Sequence, residues 1–280
     1  MNNLAQKIKA LPVSLAGRFL YRFFPYRRRL VLANMDQVFG EQLTRAEKIH
    51  LAKSYYSHLA TSFREAMQLR FMSEECLRAK VQVVGHEHML SVVAQNKGVL
   101  VLTGHFGNWE FAPLGGVLNF KEFQGQFHFI RRTLRFKALE RMMFKNYYNA
   151  GLNVIPKKNS LDKVCAALEQ NHAVIFVLDQ HASLVNRDGI AVEFFGKKAG
   201  TYRSLATLAR HTGVPVIPAA GYRLANGQHV LEFHKPIAWQ DYGSTQESLY
   251  HNTLAYNQAL ERIILENPAQ WNWMHKRWKL

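Results

Sequence analysis

The 280-residue sequence has no apolar run long enough to span a membrane, and it is poor in cysteine and in acidic residues. A spanning helix needs about 18 or more consecutive residues with few or no charges. The nearest candidate, residues 11–26, is interrupted by Arg18 and Arg22 and lacks the small-residue cleavage pattern of a signal peptide. We therefore expect a protein that stays in the cytoplasm, either free or attached to a membrane surface.

Cysteine occurs only at Cys76 and Cys165, a separation that matches no metal motif and no disulfide framework. Two thiols in such a chain are typical of a reducing compartment. The 20 Asp and Glu residues are outnumbered by 36 Lys and Arg residues, which leaves a formal net charge of +16. This charge favours an anionic partner such as a membrane surface, a phosphorylated lipid, an acidic protein or a nucleic acid.

The chain is organised around residues 97–110, which read KGVLVLTGHFGNWE. Residues 99–102 are a continuous, β-branched apolar run, which predicts a strand buried on both faces. Buried parallel strands carry their sites at their C-terminal ends, in the turn before the next helix. His105 lies in that turn. Gly104 and Gly107 flank it and allow other backbone to approach closely.

Glu110 follows His105 by five residues. If the strand ends at Gly104 and Glu110 lies in the first helical turn, the two side chains meet. A histidine held by a carboxylate is a general base, because the carboxylate fixes its tautomer and stabilises the imidazolium. No serine or cysteine nucleophile stands beside it, so the base would act on a hydroxyl of the substrate. The alternative is a loop histidine bonded to backbone.

Apolar runs alternate with helical patterns along most of the chain, which predicts an α/β fold. The expected architecture is a central, mostly parallel sheet flanked by helices, preceded by an N-terminal amphipathic helical part that binds membranes. We predict a basic membrane-interface segment over residues 1–35 and a single large domain over residues 36–280. Two further predicted strands end at polar residues, with Arg131 after one and Asp179 after the other.

Residues 104–110, GHFGNWE, resemble the His-x4-Asp/Glu motif of glycerolipid acyltransferases. Further segments resemble the lipid A biosynthesis acyltransferases, the late lauroyl and myristoyl transferases of Gram-negative bacteria. These segments are FIRR (129–132), LDQ (178–180), FFG (194–196), AGT (199–201), GVPVIP (213–218) and WMHKRWK (273–279). The resemblance implies a glycerolipid acyltransferase-like fold over most of the chain and places the 36–280 domain as its acyltransferase domain.

The resemblance implies roles for eleven residues. The expected catalytic residues are His105, Glu110, Arg131 and Asp179, with Glu110 orienting His105 and Asp179 positioning Arg131 or a substrate hydroxyl. The expected substrate-binding residues are Gly107, Asn108, Arg132, Gln180, Phe194, Phe195 and Arg203. The two phenylalanines belong to an apolar turn that either lines an acyl groove or packs in the core. Donors for the tetrahedral oxyanion are expected from backbone N–H groups near Gly107 and Asn108 or from Arg131. The Asn-Pro pair usual in the loop after Arg131 is replaced by Arg135-Phe136.

Both ends of the sequence are basic and aromatic. Phe19, Phe23 and their apolar neighbours alternate with Arg18, Arg22 and Arg27 to Arg29, a composition typical of an interfacial anchor. The alternative is an amphipathic helix packed on the domain. Near the other end, Trp271, Trp273 and Trp278 interleave with basic residues, which favours either stacking on nucleic acid or a membrane interface.

The expected reaction is acyl transfer from an acyl thioester to a hydroxyl of a lipid A precursor, with neither a metal nor an organic cofactor. The resemblance implies acyl carrier protein as donor and a peripheral position on the cytoplasmic face of the bacterial inner membrane. Expected partners are thus acyl carrier protein, an anionic lipid and the membrane surface, without nucleic acid. One alternative is an acyltransferase for another lipid or glycolipid. Another is a non-enzymatic basic protein that binds membranes or RNA.

Overall fold

The computed structural model of the chain describes residues 3–24, 26–120, 125–131, 145–157, 160–185 and 188–279. The helices are α1 (Asn3–Lys9), α2 (Leu15–Phe23), α3 (Arg28–Phe39), α4 (Arg45–Leu69), α5 (Glu74–Ala79), α6 (His86–Val93), α7 (Phe111–Asn119), α8 (Leu161–Glu169), α9 (Ser204–Thr212) and α10 (Thr245–Glu266). The strands are β1 (Val81–Val84), β2 (Val99–Thr103), β3 (Phe127–Arg131), β4 (Leu152–Pro156), β5 (Ala173–Val177), β6 (Gly189–Phe194), β7 (Lys197–Tyr202), β8 (Val216–Arg223) and β9 (His229–Phe233). Short 3-10 turns cover Gly40–Gln42 and Pro268–Gln270.

Seven strands form one sheet in the order β1-β9-β8-β2-β5-β3-β4. Every neighbouring pair is parallel except β8 and β9, which are antiparallel. Helices cover the sheet, so the predicted α/β class with a central, mostly parallel sheet flanked by helices is confirmed. The strands β6 and β7 form a separate antiparallel pair.

Strand β2 lies in the middle of the sheet and is buried on both faces, as its apolar run predicts. Leu100 and Leu102 belong to one hydrophobic cluster, together with side chains of α3, α4, α8, α9 and α10. Val99 and Val101 belong to a second cluster, built with α5, α6 and α7. The alternation of strand side chains thus divides the core between the two faces of the sheet.

Helix α4 is the long support of the first face. It begins with a capping box, in which Thr44 and Glu47 each bond the other's backbone, an arrangement that the three-residue spacing of Thr and Glu favours. Helix α2 packs tightly on α4, because Gly17 lies so close to Ser57 that a Cβ on it would collide with the Ser57 backbone.

The N-terminal helices share the main core. Ile8, Val31 and Met35 are fully buried in the same cluster as β2, and α3 runs through position 35, where the sequence predicted a segment boundary. Within the described residues, no helix is both long and apolar enough to cross a membrane.

Residues 189–202 form the β6–β7 hairpin. The chain pairs as two strands here, and α9 begins only at Ser204. A Cβ on Gly200 would lie 2.2 Å from the carbonyl oxygen of Ala182. Glycine therefore permits a close approach of the hairpin to the segment after β5, which the sequence pattern alone does not reveal.

Candidate active site

Two neighbouring parallel strands bring His105 and Asp179 together. Thr103 of β2 lies opposite Val177 of β5, and Leu178 N–H donates to the Thr103 carbonyl. The residues two positions beyond therefore face each other at the carboxyl edge of the sheet. His105 Nδ1 lies 2.9 Å from Asp179 Oδ1, and the His105 backbone N–H donates to Asp179 Oδ2 at 2.8 Å.

The environment of this pair raises the pKa of His105 and lowers the pKa of Asp179. Burial would lower the pKa of His105, but the hydrogen bond and charge of Asp179 outweigh it and raise that pKa above the ordinary 6.5. Burial would raise the pKa of Asp179, but hydrogen bonds from His105 and Trp271 outweigh it and lower that pKa below 3.8. An ionised Asp179 accepts from Nδ1–H, so neutral His105 carries its lone pair on Nε2.

The His105 ring has neighbours besides Asp179 and is partly exposed. The Gln180 side-chain amide donates to Nε2 over 3.2 Å, and the edge-on ring of Trp109 lies 5.8 Å from the imidazole centroid. The His105 side chain keeps 27% of its surface exposed, whereas that of Asp179 keeps 3%. The arrangement can accept a proton at Nε2 while Asp179 stays out of water.

Residues 270–277, here called the clamp segment, are hydrogen-bonded to the loop that carries His105. Gly107 N–H donates to the Gln270 carbonyl at 2.9 Å, and Asn272 N–H donates to the His105 carbonyl at 3.0 Å. Between these bonds, Phe106 lies opposite Trp271 as an isolated antiparallel bridge. The Trp271 indole N–H donates to Asp179 Oδ2 at 3.0 Å. The clamp segment thus bonds both the loop and the carboxylate of the site.

Arg277 bonds the clamp segment to the segment after β5 and to β7. Its side chain is fully buried and donates to the carbonyls of Gln180 and Gly200 and to the hydroxyl of Thr201. Burial lowers the pKa of Arg277 to about 10, opposed by the charges of Asp179 and Glu261. A cation held by neutral oxygens this close to Gln180 fixes the backbone that carries Asp179 and Gln180.

A sequence profile of the bacterial lipid A biosynthesis acyltransferases matches residues 5–280, almost the whole chain. The chain belongs to this family.

Individual relatives fall into two groups by acceptor. The phosphatidylinositol mannoside acyltransferase of Mycolicibacterium smegmatis is 22% identical over 232 residues, covering 81% of this chain and 72% of the relative. The lipid A biosynthesis lauroyltransferase of Escherichia coli K12 is 22% identical over 267 residues, covering 94% of this chain and 82% of the relative. The crystal structure of a 1-acyl-sn-glycerophosphate acyltransferase from Thermotoga maritima aligns with 91% of this chain and 97% of its own, at 19% identity and a TM-score of 0.41. Family membership makes the chain an acyltransferase.

The carboxylate of the family motif, Glu110, lies apart from the histidine. Glu110 immediately precedes α7, and among the described residues its side chain makes no hydrogen bond or ion pair to His105. Asp179 makes that contact instead, which corrects the expected pairing. The reason is the parallel register of β2 and β5, which places Asp179 beside the His105 ring. Burial raises the pKa of Glu110, and its catalytic role stays a prediction.

The backbone and side chain at positions 107 and 108 are used within the protein. Gly107 donates to Gln270 and accepts from His58 Nε2 at 3.2 Å, so the expected oxyanion donor at Gly107 is already occupied. Its φ of +59° and the carbonyl of Gly221, 2.0 Å from a would-be Cβ, admit only glycine. Asn108 is buried, and its side-chain oxygen accepts from the N–H groups of Glu110 and Phe111.

A second charged network, called here the rear network, lies behind this loop. Glu65 Oε2 accepts from Arg223 Nη1 at 2.7 Å and from Asn108 Nδ2 at 2.9 Å, and Glu65 Oε1 lies 3.3 Å from His229 Nε2. Burial would raise the pKa of Glu65, but these donors lower it to about 2. Arg223 Nη2 also donates to His58 Nδ1 at 3.0 Å.

His58 connects the rear network to the catalytic loop. Because arginine only donates, Nδ1 of His58 is its acceptor and Nε2–H is the donor to Gly107. Burial, together with the charge of Arg223, lowers the pKa of His58 to about 4. His58 is therefore neutral near neutral pH and holds the Gly107 carbonyl in one direction.

The remaining predicted residues fall in several places. Arg131 ends β3 beside β5, and its charge acts on Tyr147, as does that of Glu110. The oxygens of Asp179 accept hydrogen bonds from His105 and Trp271, and its expected task of positioning Arg131 or a substrate hydroxyl stays a prediction. Arg132 lies outside the described residues. Arg203 is exposed at the start of α9.

The two phenylalanines at the end of β6 pack against other side chains of the protein. Phe194 is fully buried, with the Arg277 guanidinium over its ring and Trp271 and Trp278 around it. This burial agrees with core packing, the alternative for this segment, and the substrate-binding role of Phe194 stays a prediction. Phe195 is partly buried in a left-handed backbone conformation and packs edge-on to Phe194.

The tryptophans near the end of the sequence are interior residues. Trp271 and Trp273 are buried, which corrects the expectation that they stack on nucleic acid or lie at a membrane interface. Sequence reasoning also missed Glu65 and Arg223. In the sequence, only the place of Trp271 just before the family segment 273–279 pointed to a role in the site. The basic residues around it are typical of an exposed tail and so favoured a different interpretation.

Among the described residues, one group has the spacing of a metal site: Glu232, His234 and Glu266. Strand β9 carries Glu232 and ends directly before His234, and it is separated from β2 by β8. No hydrogen bond or ion pair joins this group to His105 or Asp179. The group therefore belongs to a different part of the surface from the acyl-transfer site.

Proposed function

We propose that this family member transfers a fatty acyl group from an acyl thioester to a hydroxyl of a membrane lipid, with His105 as general base. The observation that supports it most directly is the hydrogen bond from His105 Nδ1 to the buried Asp179. That bond fixes the tautomer of the imidazole and makes Nε2 the basic nitrogen.

The chemistry follows from that nitrogen. The acceptor hydroxyl takes the place of the Gln180 amide at Nε2 and gives up its proton there as its oxygen attacks the thioester carbonyl. A tetrahedral oxyanion forms, the carbon–sulfur bond breaks, and the imidazolium returns the proton to the leaving thiolate. The Arg131 guanidinium is the candidate that stabilises the oxyanion, because the Gly107 N–H already serves Gln270.

The favoured acceptor is a lipid A precursor, since the matching family is named for lipid A biosynthesis. The M. smegmatis relative, named for phosphatidylinositol mannoside, keeps a second class of acceptor in consideration at the same identity as the E. coli relative. Both classes are glycolipids with free hydroxyls, so the His105 chemistry serves either.

The proposed donor is acyl carrier protein, an acidic partner. The formal net charge of +16 complements such a partner and would speed their encounter. The proposed place of action is the cytoplasmic face of the inner membrane, with the protein bound peripherally through α2. Leu15, Phe19 and Phe23 are spaced four residues apart on α2 and are 85%, 53% and 63% exposed, as expected for an interfacial helix.

Reconstituted transfer tests this function. Purified protein is incubated with acylated carrier protein or acyl-coenzyme A and with either a lipid A precursor or a phosphatidylinositol mannoside in mixed micelles. Mass spectrometry should detect an acceptor heavier by one acyl group, and His105→Ala should abolish it. Transfer to neither acceptor from either donor, or full activity of a folded His105→Ala protein, would contradict the proposal.

A further inference from the structure

Behind the loop that carries His105, the protein has a cavity of about 870 Å³ that is open to solvent on one side. Its walls come from α4, the turn between β8 and β9, the connection between α1 and α2, and the start of the clamp segment. The rear network forms its inner wall through His58, Glu65 and Arg223. Cavities of about 300–1,000 Å³ are typical of sites for small organic ligands, so this one has room for a sugar-sized group.

The charge of the cavity wall is positive. Three cations line it, Arg64, Lys80 and Arg223, whereas Glu65 is the one carboxylate among its described lining residues. Glu65 is already bonded by Arg223, His229 and Asn108. The side chains of Arg64 and Lys80 make no hydrogen bond or ion pair to any described residue. Two unpaired cations beside a neutralised carboxylate attract an anion.

The cavity also offers unused neutral hydrogen-bonding groups. The side-chain amides of Gln68 and Gln228 line it and form no hydrogen bond with the described part of the chain. An amide both donates and accepts, so it suits hydroxyl groups. A ligand that uses these amides together with the cations carries hydroxyls as well as negative charge.

The position of the cavity indicates where that ligand comes from. Leu11, Pro12 and Ser14 line one side, and Leu15, the first residue of α2, follows directly with 85% of its surface exposed. On the inner side, His58 lines the cavity and bonds the carbonyl of Gly107, two residues from His105. The cavity thus lies between the apolar face of α2 and the catalytic loop.

We propose that this cavity binds the phosphate-bearing, hydroxyl-rich headgroup of an anionic lipid, the acceptor of the acyl group. Arg64 and Lys80 bind the phosphate, and Gln68 and Gln228 bind hydroxyls. The inference rests on the proposed function only in naming that lipid as the acceptor, because the recognition itself follows from the cavity. Arg223 stays paired with Glu65 and contributes charge rather than a contact.

Binding of soluble probes tests the recognition without any activity. Inorganic phosphate, glucose 1-phosphate and glucose are titrated by calorimetry into the full chain. We expect glucose 1-phosphate to bind best and glucose to bind least. The double variant Arg64→Gln/Lys80→Gln should weaken glucose 1-phosphate roughly tenfold or more, because two charged hydrogen bonds are lost. The control Lys97→Gln/Lys163→Gln removes the same charge at exposed positions away from the cavity and should bind as the parent does.

Equal binding by both double variants would overturn the site. Binding of inorganic phosphate alone, without glucose 1-phosphate, would overturn the headgroup and leave a site for a free ion. To separate lipid from soluble source, acyl transfer is measured in micelles with a phosphorylated glycolipid acceptor and with its dephosphorylated form. The Arg64→Gln/Lys80→Gln protein should lose roughly tenfold or more of the preference for the phosphorylated form, compared with the control variant.

An unchanged preference would show that the cavity does not bind the acceptor, even if transfer itself proceeds. Absence of transfer with every acceptor would contradict the proposed function instead, while the calorimetric result would still decide whether the cavity takes a phosphorylated sugar. The two failures are therefore distinguishable.

Discussion

His105 and Asp179 meet through two hydrogen bonds, one from the imidazole Nδ1 and one from the backbone N–H of the same histidine. The ring bond fixes the tautomer, and the backbone bond fixes the start of the loop. Because both bonds end on one buried carboxylate, the orientation of the base and the path of the loop depend on the same side chain.

Asp179→Asn should reduce kcat strongly, by about 10²–10⁴-fold, because the amide no longer favours the tautomer with a basic Nε2. Glu110→Gln provides the comparison, as an equally conservative change at the carboxylate of the family motif. We expect the Asp179 variant to lose more activity, with thermal unfolding used to verify that both proteins fold. A larger loss for Glu110→Gln would return the orienting role to Glu110.

The pH dependence of kcat/KM should show an acid limb set by His105. Only neutral His105 accepts a proton, so activity falls as the pH drops through its raised pKa, above 6.5. In Asp179→Asn the upward influence of the carboxylate is gone and burial alone acts, so the limb moves to lower pH. An acid limb at the same pH in both proteins would assign it to another group.

Trp271→Phe should weaken the site without removing any reacting group. The change deletes the indole N–H that donates to Asp179 Oδ2, and a hydrogen bond to a charged group is worth about 1.5–3 kcal/mol. Trp273→Phe is the matched control, because Trp273 is equally buried but donates to the Pro268 carbonyl. Both variants should melt at lower temperature, yet Trp271→Phe should show the greater loss of kcat. Equal kcat in the two variants would show that the hydrogen bond from the Trp271 indole to Asp179 does not affect catalysis.

Glu65→Gln should destabilise the fold and slow transfer together. It leaves Arg223 buried without its carboxylate, a change that typically costs about 3–5 kcal/mol. The pKa of Glu65 is lowered from 4.5 to about 2, so its contribution to stability is present above pH 4.5 and is lost as the pH falls towards 2. The melting temperature of the parent should therefore fall more steeply over this range than that of Glu65→Gln. Parallel pH profiles would contradict the role assigned to this carboxylate.

Phe19→Ser/Phe23→Ser should release the protein from vesicles of anionic lipid. The apolar side chains supply insertion, and nearby arginines add about 1 kcal/mol each near an anionic leaflet. Flotation across a salt series should show the parent loosened but still bound, since salt screens only the charges over about 8–10 Å. The control Leu161→Ser/Val185→Ser removes apolar side chains that are also exposed, 59% and 90%, and should float as the parent does. Flotation of Phe19→Ser/Phe23→Ser equal to the parent would exclude α2 as the anchor.

Local patterns predicted most of the elements. The β-branched run at 99–102 and the apolar run at 173–178 both became buried strands, because continuous apolar segments between turn residues have few other stable positions. The Thr44 cap and the helix after it were also readable, since capping is a contact between residues three apart. The position of His105 at the end of β2 followed directly.

The partner of His105 was not readable, because it lies 74 residues away and depends on strand register. A local motif favoured Glu110, although Asp179 had been placed at a strand end. Trp271 and Arg277 were misleading for a related reason. Aromatic and basic residues in alternation resemble an interfacial tail, and only the folded chain shows that carbonyl and hydroxyl oxygens receive the Arg277 guanidinium.

The bridge between Phe106 and Trp271 has a consequence for biosynthesis. The ribosome synthesises His105 and Asp179 before it synthesises Trp271. A nascent chain therefore contains both side chains before the clamp segment can bond to them. Until Trp271 and Arg277 have been made, Asp179 lacks its third hydrogen-bond donor and the Gln180 carbonyl lacks the Arg277 guanidinium. His105 therefore acquires its full set of neighbours only after residues 270–277 have been made and have folded onto its loop.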